Sequence, residues 1–138
     1  FFTELGFSVV LSPSSSRKIY EMGIESIPSE SECYPAKLAH GHVEWLIRQN
    51  VDRIFYLAFH TNGMNSGCEQ PLQLPDCYIL CGKHQNNMDE IVQGKVDFMN
   101  PFLALTSEEI MADRLVEIFS EKFRIPEEKI RDAAHKGW

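Results

Sequence analysis

Residues 33–59 read CYPAKLAHGHVEWLIRQNVDRIFYLAF, which predicts one helix followed by one strand. Pro35 lies where the first helical residue is expected, because its missing N–H group costs nothing there. Apolar residues then recur at spacings of three and four to about Gln49, which is typical of a helix with one buried side. Asp52 to Phe59 contains an unbroken apolar run and predicts a buried strand. The short connection between the two elements favours an α/β fold.

Shorter runs continue this alternation of helices and strands along the rest of the chain. Further strands are predicted at 7–11, 77–81 and 96–99, and further helices at 17–22, 86–93, from 106 and from 126. Glycines and prolines predict a long loop at about 60–76. The order predicts a single domain over residues 1–138, Rossmann-like α/β and three-layered, with a mostly parallel sheet of about four strands.

Two helix boundaries have specific signals. Thr106 and Glu109 predict a capping box, in which the threonine is the N-cap residue of the helix. Phe1 to Gly6 is typical of the last turn of a helix closed by a glycine. Because nothing precedes that turn and the sequence stops at Trp138 within a helical pattern, we expect the chain to be an excerpt of a larger protein.

Composition limits the possible classes of function. The chain has 138 residues, a net charge of −7 and 43% hydrophobic residues, enough apolar side chains for a folded core. Its acidic balance argues against a nucleic-acid surface and an anionic membrane surface. The sequence contains no apolar stretch of about 18 residues and no secretory signal, so a cytoplasmic location is predicted.

Cys33 is the first candidate for chemistry, because it immediately precedes the Pro-initiated helix. A thiolate at this position is stabilised by the positive end of the helix dipole, which favours a nucleophile or a metal ligand. The alternative is a small buried apolar residue at a helix start. Position alone favours the structural alternative.

Lys37, His40 and Glu44 lie at spacings of three and four and therefore share one helix face. Gly41 leaves a bare patch of backbone beside them. Lys37 and His40 are predicted to influence the ionisation of Cys33 or to contact a bound anion or cofactor. The alternative is a solvated polar face, and His42 is predicted to be a surface group.

Cys68, Cys77 and Cys81 complete the set of four cysteines. Reduced thiols or metal ligands are more typical of an α/β chain of this length than two disulfides. Cys77 and Cys81 point to the same side of a predicted strand but lie about 13 Å apart along it, so they cannot share one metal ion in a regular strand. Cys68, in the predicted loop, can act as a metal ligand together with either Cys77 or Cys81.

Several stretches resemble the 2-hydroxyacyl-CoA dehydratase superfamily, and more closely its branch of large CoA-substrate-specific enzyme activase proteins. The resemblance covers most of the chain apart from about residues 59–76, and the Cys-Tyr-Pro-Ala-Lys run with His-Gly-His is its most specific part. The matching stretches are 1–12, 27–30, 33–42, 52–56 and 98–102.

The resemblance implies a Rossmann-like domain within a larger polypeptide that also carries ATPase modules, and it implies a dehydratase-like partner. It implies a [4Fe-4S] cluster with Cys33 as the first ligand. Cys77 falls where the branch has an Asn-Cys-Pro triplet, although the triplet here is Asp76-Cys77-Tyr78. The branch usually has Phe-Tyr-Pro-Cys after the second strand, whereas this chain has Ala58 in place of the cysteine. The chain must therefore recruit a third thiolate from Cys68 or Cys81, or bind no cluster.

Three hypotheses follow from the sequence. The chain is an iron–sulfur redox module, a cluster-free structural or docking module, or a small-molecule enzyme with Cys33 as nucleophile. The sequence does not identify a complete active site.

Overall fold

The computed structural model of the chain describes residues 1–27, 33–60 and 89–138. These residues form two compact units, one comprising 1–9, 57–60 and 101–138, and the other comprising 10–27, 33–56 and 89–100. The predicted strand at 77–81 and nearly all of the predicted loop at 60–76 lie outside the described residues.

Helices and short strands alternate along the described chain. The elements are α1 (Arg17–Gly23), a 3-10 turn (Ile24–Ser26), α2 (Tyr34–Arg48), β1 (Arg53–Phe55), β2 (Ala58–His60), α3 (Asp89–Val92), β3 (Asp97–Met99), β4 (Phe102–Ala104), α4 (Glu108–Phe123) and α5 (Glu127–Gly137). The predicted helices at 17–22 and from 126 are confirmed. The helix predicted at 86–93 is confirmed over its described part, where α3 ends shortly before Gly94.

The strands form two parallel pairs. β1 pairs with β3, with Ile54 opposite Phe98, and β2 pairs with β4, with Phe59 opposite Leu103. Helices together with parallel strand pairs agree with the predicted α/β class. The strand predicted as continuous over 52–59 is instead two short strands, and β4 was not predicted. We attribute the break to Pro101, which has no N–H to donate to a ladder.

The strand predicted at 7–11 is wrong. Val9 and Val10 are 44% and 45% exposed, and Leu11 is 81% exposed. No strand among the described residues pairs with this segment. An apolar run becomes a buried strand only where a partner supplies hydrogen bonds on its edge, which the sequence pattern does not reveal.

One core lies between α2 and the β1–β3 pair. Its buried members are apolar residues from the helix, both strands and the segment between them: Val43, Ile47, Ile54, Ile91, Val96 and Phe98. The hydrophobic face predicted for α2 is therefore confirmed at Val43 and Ile47, while Leu46 packs against the core from its edge.

The other unit has an aromatic core centred on Phe119 of α4. The Phe119 ring is 1% exposed and lies 5.3 Å from the rings of Phe1 and Phe123. Residues 1–6 form a turn closed by Gly6 at φ +91°, and this turn brings Phe1 and Phe2 to Phe119. The predicted glycine-closed turn is confirmed: Phe7 N–H donates to the Phe2 carbonyl, and Gly6 N–H donates to the Thr3 carbonyl.

Exposed ion pairs connect α5 to its neighbours. Arg131 donates to Glu127 and to Asp113 of α4, and both acids raise the pKa of the guanidinium. Lys136 lies beside Asp132 and Glu4, which likewise raise the pKa of its ammonium group. Such pairs contribute little stability at an exposed surface, so α5 is held mainly by its buried residues.

The N-cap of α4 is Ser107 and not Thr106. The Ser107 backbone is extended, and its hydroxyl oxygen accepts from Ile110 N–H at 3.2 Å. The prediction of a Thr106–Glu109 capping box is therefore wrong by one residue. Adjacent Thr and Ser both suit the position, and only the geometry of the preceding turn selects between them. Met111, Leu115 and Phe119 of this helix are buried, whereas Ile118 is half-buried.

Ser107→Ala is expected to lower the free energy of unfolding by about 1 kcal/mol, because Ile110 N–H loses its acceptor. Thr106→Ala is the matched control and should change it by less than about 0.5 kcal/mol. Urea denaturation followed by circular dichroism measures both. A larger effect at Thr106 than at Ser107 would contradict this assignment.

Candidate functional site: the start of helix α2

Cys33 is the N-cap residue of α2, as the sequence predicted. Its backbone is extended (φ −64°, ψ 155°), and its carbonyl accepts from Lys37 N–H at 3.1 Å, which begins the helix. Its side chain makes no capping hydrogen bond and is exposed. The alternative of a small buried residue at the helix start is therefore wrong.

The electrostatics of this helix start favour an anion. α2 has 15 residues, and its first turn contains no acidic side chain. The positive end of its dipole is therefore not offset by a carboxylate in the first turn. This end of the helix therefore favours a bound anion over a bound cation.

Two aromatic rings hold the start of α2 against α1. The Tyr34 ring lies 5.5 Å from that of Tyr20, at an interplanar angle of 35°. Tyr34 directly follows Cys33, so this contact positions the residue next to the thiol. Ser16 caps α1 by accepting from Ile19 N–H, which fixes where α1, and hence Tyr20, begins.

Two glycines allow α1 and α2 to cross at very short range. A Cβ atom on Gly41 would lie 1.8 Å from the Ile19 carbonyl oxygen, and one on Gly23 would lie 2.3 Å from the Gly41 nitrogen. Hydrogen is the only side chain that fits at either position. The backbone patch that the sequence left bare at Gly41 is thus covered by α1.

His40 is completely buried, at 0% exposure, with Nδ1 3.0 Å from Ser26 Oγ. The alternative of a solvated polar face is therefore wrong for this residue. His40 continues the buried stripe Ala36, Val43 and Ile47 at spacings of four and three. That periodicity was the signal that could have placed His40 in the interior.

Lys37 and His40 differ in their relation to Cys33. Lys37 lies one turn after it and is half-buried. His40 lies seven positions along α2, which corresponds to about 10 Å along the helix axis. The structure therefore does not place Cys33 and His40 in direct contact. Glu44, predicted on the same face, is paired with Arg48 at 3.0 Å.

His42 is half-buried and not the surface group predicted. Its Nε2 lies 2.9 Å from Oγ of Ser15, which directly precedes the N-cap residue of α1. Ser15 is exposed. No sequence pattern indicates this pair, because Ser15 and His42 are 27 positions apart and meet only through tertiary packing.

Cys68, Cys77 and Cys81 lie outside the described residues, so their predicted roles as ligands stay predictions. Within 1–27, 33–60 and 89–138, no group of three or more His, Cys, Asp or Glu residues is arranged to hold a metal ion. The described site therefore consists of one exposed thiol at the start of α2.

These features define a class of α/β protein that presents a cysteine at the positive end of a helix. The chain belongs to the family described as CoA enzyme activase uncharacterised domain, whose model matches residues 1–138. No curated protein and no solved structure matches the chain. The family match confirms the activase part of the resemblance seen in the sequence. In the described ranges, none of the helices is long and apolar enough to cross a membrane.

Proposed function

We propose that the chain is an internal redox module of a CoA enzyme activase-type protein related to the 2-hydroxyacyl-CoA dehydratases, and that Cys33 is a ligand of a [4Fe-4S] cluster. The supporting observation is the exposed Cys33 side chain, which makes no capping hydrogen bond at the positive end of α2. Thiolates are the usual ligands of such clusters. The N-terminus of a helix also favours the negative charge that thiolate ligands carry.

The remaining ligands in this proposal are Cys77 and either Cys68 or Cys81. Ala58, where the family resemblance has a cysteine, begins β2 and contributes no thiol. The cluster would supply one-electron chemistry when bound. The residues of the chain would hold it, with Cys33 fixed by the Tyr20–Tyr34 contact and by the short crossing of α1 and α2.

The proposal also includes the surroundings of the module. It acts in the cytoplasm as part of a polypeptide with ATPase modules, and a dehydratase-like protein is the electron acceptor. The full domain is Rossmann-like, with the segment at 77–81 as a further strand beside the parallel pairs. The family match supports the place of the module in a CoA enzyme activase-type polypeptide. The parallel β1–β3 and β2–β4 pairs support the Rossmann-like domain.

Anaerobic reconstitution with iron and sulfide tests the proposal. We expect a broad absorbance at about 400 nm that bleaches on reduction. Cys33→Ser should remove most of it. Serine is a favoured N-cap residue and Cys33 is exposed, so the variant should keep its fold, which circular dichroism can check. An absorbance unchanged by Cys33→Ser would refute the role of Cys33.

A second candidate function is a cluster-free structural or docking module. The exposed apolar segment Val9–Val10–Leu11 favours it, because such surface is often covered in an assembly. A protein that stays colourless after reconstitution, with or without Cys33, would support this candidate over the redox module.

A further inference from the structure

We draw no further inference here: the strongest candidate, the side-chain pair of Ser15 and His42 where the segment before α1 meets α2, carries nothing because, among the residues that the structure describes, the buried Nδ1 of His42 has no hydrogen-bond partner that would orient the imidazole as a base for the Ser15 hydroxyl.

Discussion

Gly41→Ala is expected to lower the free energy of unfolding by about 3 kcal/mol, the upper part of the range for overpacking. The added Cβ atom would lie 1.8 Å from the Ile19 carbonyl oxygen and 2.6 Å from its carbon. Both are backbone atoms, so the clash is relieved only by moving α1 away from α2. The gain of about 1 kcal/mol in helix propensity is too small to offset this.

Fluorescence of Trp45 on α2 can follow this unfolding in urea, in a Trp138→Phe background that leaves a single tryptophan. The control is Gly137→Ala, where the nearest atom would be Phe1 Cβ at an ordinary 3.5 Å. That substitution should be neutral within about 0.5 kcal/mol. Equal effects at the two glycines would mean that α1 and α2 do not cross at this distance.

Phe119→Ala is expected to lower the free energy of unfolding by about 4 kcal/mol, as is typical of a buried aromatic residue. The ring is 1% exposed. Its centroid lies 5.3 to 6.2 Å from four other rings, those of Phe1, Phe2, Phe7 and Phe123. Removing it leaves a cavity where α4 meets the N-terminal turn.

Ile110→Ala is the matched control on the same helix, because Ile110 is 51% exposed. It should change the free energy of unfolding by less than about 0.5 kcal/mol. Trp138 fluorescence, in a Trp45→Phe background, reports on this unit. A loss below about 1 kcal/mol in Phe119→Ala would contradict the placement of Phe119 at the centre of the core.

Local signals in the sequence predicted the helices well. Pro35 and the apolar spacing that follows it located α2, because caps and periodicity act within a few residues. The strand at 7–11 failed because burial of a strand depends on a partner elsewhere in the chain. Thr106 was preferred to Ser107 for a related reason, since two adjacent cap residues are separated only by backbone geometry.

The candidate site was predicted in part. The sequence placed Cys33 at the start of a helix, which the structure confirms. Its polar spacing predicted His40 on one face with Lys37, whereas the buried stripe Ala36–Val43–Ile47 places His40 in the interior. His40 bonds to Ser26 and His42 bonds to Ser15 near the place where α1 and α2 approach closely at Gly23 and Gly41. This close approach is a tertiary contact, and no periodic pattern in the sequence indicates it.

The iron and acid-labile sulfide content of the reconstituted protein tests the central proposal most directly. For the unchanged chain we expect about four iron and four sulfide ions per molecule, as in a [4Fe-4S] cluster. Cys33→Ser, with its fold intact, should lose most of both. An unchanged chain that binds no more iron and sulfide than the Cys33→Ser variant would contradict the assignment of Cys33 as a cluster ligand.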